Sequence, residues 1–135
     1  MKRTLTVMLA VLSVGSLLTM AVSSYAQAAC TTSSLKGTFG FTCQGTVGGD
    51  SVAEVGIATY DGKGNVSGRK TCSANGTITK DVEFSGTYTV QADCTASATF
   101  LDGSELAYVL DARRSEVRVI STAAGTEYTC LKKKQ

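Results

Sequence analysis

The chain has 135 residues, of which 43% are hydrophobic and 18% are charged, and it contains no histidine. The formal net charge is +2, and Lys2 and Arg3 alone account for it, so the composition gives no basic footprint for nucleic acid. Without histidine, the Gly49-Asp50-Ser51 sequence lacks the base that a serine nucleophile needs, and it is interpreted as a hairpin loop. We expect no catalytic triad, no metal site and no cofactor.

Residues 1–28 have the layout of a cleaved secretory signal. Lys2 and Arg3 precede an apolar run, and small side chains at Ala26 and Ala28 suit cleavage after Ala28. A lipid anchor on Cys30 is disfavoured because Gln27 occupies the place of the required aliphatic residue. We therefore predict an exported protein, periplasmic or extracellular, with no transmembrane span in its mature form.

The remaining chain consists of a lead segment at 29–36 and a domain at 37–135. Its sequence predicts an all-β fold. Thr, Val, Tyr, Phe and Gly are frequent, and turn residues recur every 8 to 12 positions. The sequence LKKKQ at the end is interpreted as a solvated tail. The predicted strands are 37–47, 51–60, 65–73, 77–91, 94–101, 105–112, 117–122 and 127–132.

The segment 77–91 can be one strand or two strands with a turn at Ser85 and Gly86. Its large apolar residues all fall on even positions, and a two-residue turn would send the last two of them into water. One continuous strand buries all five, namely Ile78, Val82, Phe84, Tyr88 and Val90. We therefore predict one strand, with Gly86 allowing a bend.

The same alternation assigns an inner face to every strand. On the first four strands the predicted inner residues are Phe39, Phe41, Cys43, Ala53, Val55, Ile57, Val66, Gly68 and Cys72, together with those of 77–91. On the last four they are Ala96, Ala98, Phe100, Leu106, Tyr108, Leu110, Val117, Val119, Tyr128 and Cys130. Eight strands joined by hairpins predict a closed up-and-down antiparallel β-barrel, with a two-sheet β-sandwich as the alternative.

Four stretches, LKGTFGFTCQGT, VGIATYDGKGNVSG, FSGTYTVQADCTASATF and VRVISTAAGTEYTCLKKKQ, resemble a family of small exported bacterial proteins with an allene oxide cyclase barrel-like domain. The resemblance implies an eight-stranded calycin-like barrel and a disulfide between Cys30 and Cys94. Cys43 and Cys130 face inward on strands that meet at closure, so they are the second candidate bridge, and Cys72 would be a buried free thiol. The catalytic residues of the plant cyclase find no match here.

One pair of lysines suggests a binding site. If Ala74-Asn75-Gly76 is a three-residue turn, Lys70 lies opposite Lys80 on the inner face, and Arg69 lies opposite Asp81 on the outer face. Two inward lysines would form a cationic site for the acid group of an apolar ligand. The alternative is that both side chains extend to the rim or that a bulge rotates them outward. The candidate ligand-binding residues are Lys70, Lys80, Phe39, Tyr88, Phe100 and Tyr108.

Three functions of different classes follow. The first is a non-catalytic binding module for a small hydrophobic or acid-headed ligand. The second is a disulfide-stabilised structural or surface-interaction protein with a filled barrel. The third is an isomerase or cyclase that confines an apolar substrate beside a tyrosine and a carboxylate such as Glu54.

Overall fold

The computed structural model describes residues 28–135, and the predicted signal peptide lies almost wholly outside these residues. A short 3-10 helix, η1 (Thr32–Leu35), precedes eight strands. The strands are β1 (Gly37–Val47), β2 (Asp50–Tyr60), β3 (Asn65–Ala74), β4 (Thr77–Val90), β5 (Thr95–Phe100), β6 (Glu105–Leu110), β7 (Glu116–Ser121) and β8 (Thr126–Lys134). No helix among the described residues is long and apolar enough to cross a bilayer.

The sheet closes into one antiparallel barrel in which each strand pairs with the next and β8 pairs with β1. The predicted barrel is thus confirmed, and the sandwich alternative is wrong. Residues 77–90 form one strand without a reversal at Ser85, as the spacing of their apolar residues predicted. Closure pairs the backbone groups of β1 and β8 and leaves no open sheet edge.

The inner face of β2 differs from the prediction. Gly48 and Gly49 form a two-residue turn with φ values of 59° and 92°, and Val47 pairs directly with Asp50. A two-residue turn places the odd-numbered residues of β1 opposite even-numbered residues of β2. The predicted three-residue Gly-Gly-Asp loop would have placed odd-numbered residues opposite odd-numbered ones. Even-numbered residues of β2 therefore face inward, and Ala53, Val55 and Ile57 face solvent, with Val55 56% exposed.

A bulge in β4 prevents the predicted pairing of Lys70 with Lys80. Asn75 and Gly76 make a two-residue turn, and the pairing of β3 with β4 shifts between Lys70 and Cys72. The residue responsible is Asp81, whose φ of 55° places an extra residue in β4. Alternate side chains of β4 point into the barrel only after Asp81, so Lys80 is exposed.

Further predicted partners change for the same reason. Lys70 pairs with Val82, and Arg69 pairs with Glu83 rather than with Asp81. Ile78, on the turn side of the bulge, is 56% exposed instead of facing the core.

The inner faces of β5 to β8 agree with the sequence prediction, and β8 adds one residue to it. Tyr128 and Cys130 point inward, and the alternation continues to Lys132, which is only 3% exposed. The prediction that LKKKQ is a solvated tail is therefore wrong for Lys132. Lys133 and Lys134 are exposed, as expected of a charge run.

Both predicted disulfides are present. Cys30 bonds Cys94, and Cys43 bonds Cys130 directly across the β1–β8 pairing that closes the barrel. A sulfur in a disulfide cannot carry a thioether-linked lipid, which argues against lipidation of Cys30. Cys72 is a free thiol, but it is half-buried rather than buried.

Candidate functional site

The barrel has two unlike halves. The half beside η1 is filled by aromatic and aliphatic side chains, of which Phe39, Tyr60, Tyr108, Leu35 and Val117 are almost completely buried. The other half contains a cavity of about 510 Å³. The filled-barrel alternative therefore describes only half of the molecule.

The cavity opens at the end of the barrel formed by the turns after β1, β3, β5 and β7. Val47, Ala74, Gly103 and Ala123 line it, and each lies at one of these turns or at the strand end beside it. The loops at this rim are short, so none of them extends over the opening.

The opposite end is closed by the lead segment. Leu35 is fully buried, and the Cys30–Cys94 disulfide joins this segment to the start of β5. The Tyr88 hydroxyl donates to the carbonyl oxygen of Thr32 at 3.2 Å and accepts from the amide of Gly62 at 3.0 Å. Tyr88 thus ties the lead segment to the barrel and does not line the cavity.

Three phenylalanines form the apolar wall of the cavity, and each lies across from a glycine. Phe41 pairs with Gly56, Phe84 with Gly68 and Phe100 with Gly86. Adjacent rings meet edge to face, with centroids 5.9 Å apart for Phe41 and Phe84 and 5.8 Å apart for Phe84 and Phe100. The missing glycine side chains give the rings room to lie against the neighbouring backbone.

A polar cluster on the wall of the cavity joins Glu54, Lys70 and Tyr128. Lys70 Nζ lies 2.7 Å from Glu54 Oε1, and the Tyr128 hydroxyl donates a short hydrogen bond to Glu54 Oε2. Both carboxylate oxygens are therefore occupied, and the Glu54 side chain is only 9% exposed. Burial raises the pKa of Tyr128, and the adjacent Glu54 carboxylate raises it further, so the phenol stays protonated.

The free thiol of Cys72 belongs to the same wall, since its partner across the sheet is Glu54. Burial is the largest cause that raises the pKa of Cys72, and the negative charge of Glu54 adds to it. A thiol held in its protonated form is a weak nucleophile.

Lys132 lies deeper, where the cavity meets the filled half. Its Nζ donates to the hydroxyl of Tyr60 at 2.8 Å and to that of Tyr108 at 3.3 Å. The same nitrogen lies over three aromatic rings, 4.8 Å from the centroid of Tyr108 and 5.4 Å from those of Phe41 and Tyr60. Within residues 28–135 it forms no ion pair.

The surroundings of Lys132 change its titration. Burial, and to a smaller extent the positive charge of Lys70, together lower its pKa to about 7. Burial raises the pKa of Tyr108 to about 12 and raises that of Tyr60 well above its usual range. At neutral pH both tyrosines are therefore neutral hydroxyls, and Lys132 exchanges between ammonium and amine.

The predicted ligand-binding residues divide into three groups. Lys70 and Phe100 line the cavity. Phe39, Tyr88 and Tyr108 are buried in the filled half, where they support the cavity without lining it. Lys80 faces solvent because of the β4 bulge.

Two lining residues, Tyr128 and Lys132, were not among the sequence candidates for ligand binding, and Glu54 was proposed only as a catalytic carboxylate. The alternation of β8 already placed Tyr128 and Cys130 inside, and one more step would have reached Lys132. For Glu54 the signal was the Gly48-Gly49 pair, which favours a two-residue turn and therefore the even-numbered face of β2.

Comparison with known proteins gives one structural neighbour. No protein-family model matches the chain, and no curated protein matches it. A de novo designed fluorescence-activating β-barrel is similar in structure, with a TM-score of 0.49 and 18% sequence identity over 74% of this chain and 93% of the design.

Proposed function

We propose that this protein is an exported, non-catalytic binding module for a small apolar ligand with an acidic head group. Its cavity of about 510 Å³ is comparable with small-molecule sites, which span roughly 300–1,000 Å³. The observation that carries the proposal is Lys132, an ammonium that has no carboxylate partner among residues 28–135 and lies at the inner end of an otherwise largely apolar cavity.

Desolvation of the Lys132 ammonium favours binding of an anion. Burying an ammonium without an opposite charge is costly, and the two tyrosine hydroxyls compensate for only part of the lost hydration. Two of its three N–H bonds are directed to those hydroxyls, which leaves one for a ligand. An incoming carboxylate supplies both the missing acceptor and the missing charge.

The position of Lys132 also sets the orientation of the ligand. The acid head lies at the inner end, and the apolar body lies against Phe41, Phe84 and Phe100. Lys70 is a weaker anchor because its ammonium is already paired with Glu54 at 2.7 Å. The cationic group is thus a single deep lysine rather than the pair of lysines near the mouth that the sequence suggested.

Export and family membership are parts of the same proposal. The two disulfides suit an oxidising compartment, and the N-terminal sequence has the layout of a secretory signal. The barrel and the Cys30–Cys94 bridge support membership of the allene oxide cyclase barrel-like family, which the sequence resembles.

Titration with cis-parinaric acid, whose fluorescence rises in an apolar site, tests the proposal. At a pH below the Lys132 pKa of about 7, we expect the acid to bind at least about tenfold more tightly than its methyl ester. Lys132→Met removes this preference, and Lys133→Met, an exposed neighbour on the same strand, retains it. Equal affinity of the wild type for acid and ester would contradict the acidic head group, and no binding of either would contradict the module.

A second candidate, a proton-transfer enzyme such as an isomerase or cyclase, is favoured by one observation. The Glu54 carboxylate and the Tyr128 hydroxyl converge on the cavity, which is the pairing that acid–base chemistry on an apolar substrate requires. Incubation with 2-nonanone in heavy water distinguishes the two functions. An enzyme exchanges deuterium into the ketone and loses this activity on Glu54→Gln, whereas a binding module exchanges none.

A further inference from the structure

Lys132 combines five features. The residue is 3% exposed, it lines a cavity that is open at the far end, and its nitrogen contacts two hydroxyls. The charged group that acts on it is another cation, Lys70, rather than a carboxylate. Aromatic rings of Phe41, Tyr60 and Tyr108 surround the same nitrogen.

These features meet the requirements of carbonyl chemistry at an amine. Condensation with an aldehyde needs an unprotonated amine, a route for the aldehyde, a nearby proton donor and limited access of water. The lowered pKa of about 7 provides the free amine near neutrality. The cavity provides the route, and the hydroxyls of Tyr60 and Tyr108 are the proton donors.

We infer that the cavity also accepts small apolar aldehydes and holds them covalently as an imine on Lys132 Nζ. The inference rests on the proposed function in one respect, since it requires that apolar ligands enter this cavity. It adds a second class of ligand and a covalent mode of attachment.

The reaction balances without an oxidant or a reductant. The lone pair of Lys132 Nζ forms a bond to the carbonyl carbon as the C=O π bond breaks, and one proton passes from nitrogen to the carbonyl oxygen through the tyrosine hydroxyls, which gives a carbinolamine. The carbinolamine then loses its hydroxyl group as water, with a proton supplied by a tyrosine hydroxyl, and nitrogen gives up its remaining proton to the same hydroxyls. The net change is amine plus aldehyde to imine plus water.

The other lysines of the barrel lack these conditions. Lys70 Nζ is engaged in an ion pair with Glu54 Oε1 at 2.7 Å. The remaining lysines of the described residues are exposed, where water competes with condensation and hydrolyses any imine that forms; they are Lys36, Lys63, Lys80, Lys133 and Lys134. The inference therefore predicts selective reaction at one site.

The test uses two probes with the same ring system, 6-methoxy-2-naphthaldehyde and 6-methoxy-2-naphthoic acid. The oxidised wild-type protein is incubated with the aldehyde and cyanoborohydride, which reduces an imine to a stable amine, and the site is located by peptide mass mapping. We expect labelling of Lys132 to be at least about tenfold faster than labelling of Lys133, and the acid to compete with it. An aromatic aldehyde has no conjugate position for Cys72 to attack, so thiol adducts do not interfere.

Three variants sharpen the result. Lys132→Met abolishes the selective label, and Lys133→Met retains it. Tyr108→Phe, which removes one hydroxyl and leaves Lys132 in place, slows labelling while binding of the naphthoic acid persists. Because the wild-type map identifies the labelled residue directly, the test holds even if a variant folds poorly.

Each outcome decides the inference. Selective label on Lys132 supports it. Binding of the acid with no label, or with label spread evenly over the exposed lysines, overturns the imine and leaves the binding module intact. If neither probe enters the cavity, both proposals fail.

Discussion

At the residue scale, the surroundings of Lys132 couple ligand chemistry to folding. Its pKa is about 7 in the folded protein, whereas that of an exposed lysine in the unfolded chain is about 10.4. Between these values the unfolded state binds more protons than the folded state, so this group makes the protein more stable as pH rises. Below about 7 both states are protonated, and the contribution no longer changes.

Replacing Lys132 by Met should therefore remove a pH dependence. We expect the free energy of unfolding of the wild type to rise from pH 7 towards 9.5 relative to that of Lys132→Met, and the variant to be more stable by about 1–3 kcal/mol at pH 7. The comparison is restricted to pH values below 10. Above pH 10, Tyr60 and Tyr108, whose pKa values are raised, make the protein less stable as pH rises. Urea denaturation at several pH values measures the difference.

Lys133→Met is the matched control for this measurement, since Lys133 is exposed on the same strand. Its free energy of unfolding should follow that of the wild type at every pH. Parallel curves for the wild type and Lys132→Met would show that burial does not perturb Lys132.

At the element scale, two local departures from regular pairing determine what the cavity contains. The two-residue turn at Gly48 and Gly49 brings Glu54 inside, and the bulge at Asp81 sends Lys80 outside. Each shifts the pairing of a strand by one residue. Side chains that would otherwise point inward then point outward, and their neighbours point inward. The charged lining of the cavity therefore depends on the turn and the bulge as much as on the strand sequences.

The inward glycines give a prediction at the same scale. A methyl group added at Gly68 would lie 2.5 Å from Phe84 Cζ and closer still to the carbonyl oxygen of Ile57. Backbone cannot move aside as a flexible side chain can, so Gly68→Ala should lower the free energy of unfolding by about 2 kcal/mol or more. Thermal and urea denaturation measure the loss.

Gly40→Ala is the control, because a methyl group there meets only the flexible side chain of Gln135. We expect a change within about 0.5 kcal/mol for this variant. Equal losses for the two variants would mean that the inward position of Gly68 has no special packing role.

At the scale of the whole molecule, one disulfide lies at the closed end of the barrel and the other lies in the wall of the cavity. The Cys30–Cys94 bridge fixes the lead segment to the closed end, and the Cys43–Cys130 bridge lines the cavity. They span 64 and 87 residues of sequence, so the loop-closure contributions of the two bridges are similar. Their effects on ligand binding should differ.

Replacing both cysteines of either bridge by serine should cost about 2–5 kcal/mol of stability. Without the Cys30–Cys94 bridge, the affinity for cis-parinaric acid should stay within about twofold of the wild type, since the cavity is at the other end. Without the Cys43–Cys130 bridge, the affinity should change more, because two lining sulfur atoms become hydroxyl groups. A loss of affinity of equal size in both variants would show that the two ends do not behave independently.

Much of the architecture could be predicted because alternation and turn residues are local signals. The even positions from Val82 to Val90 and the pattern of β5 to β8 were sufficient to place those side chains inside. The inner face of β2 was predicted wrongly because it depended on the length of the turn at Gly48. The lysine pair was predicted wrongly because it depended on the length of the turn at Asn75 and on regular pairing through Asp81, where β4 has a bulge. Turn length is decided by the pairing of the flanking strands, and the sequence of the turn restricts it only in part.

The number of strands and their hairpin order can be read from the chain alone, because they follow from periodicity and turn residues, whereas periodicity left closure open between a barrel and a sandwich. Which half of the barrel is hollow, and which lysine is buried in it, depends on contacts between strands. Lys132 is identical to Lys133 and Lys134 as a residue. Its burial, its tyrosine partners and its lowered pKa come from side chains of β1, β2 and β6, which meet it only when the barrel closes.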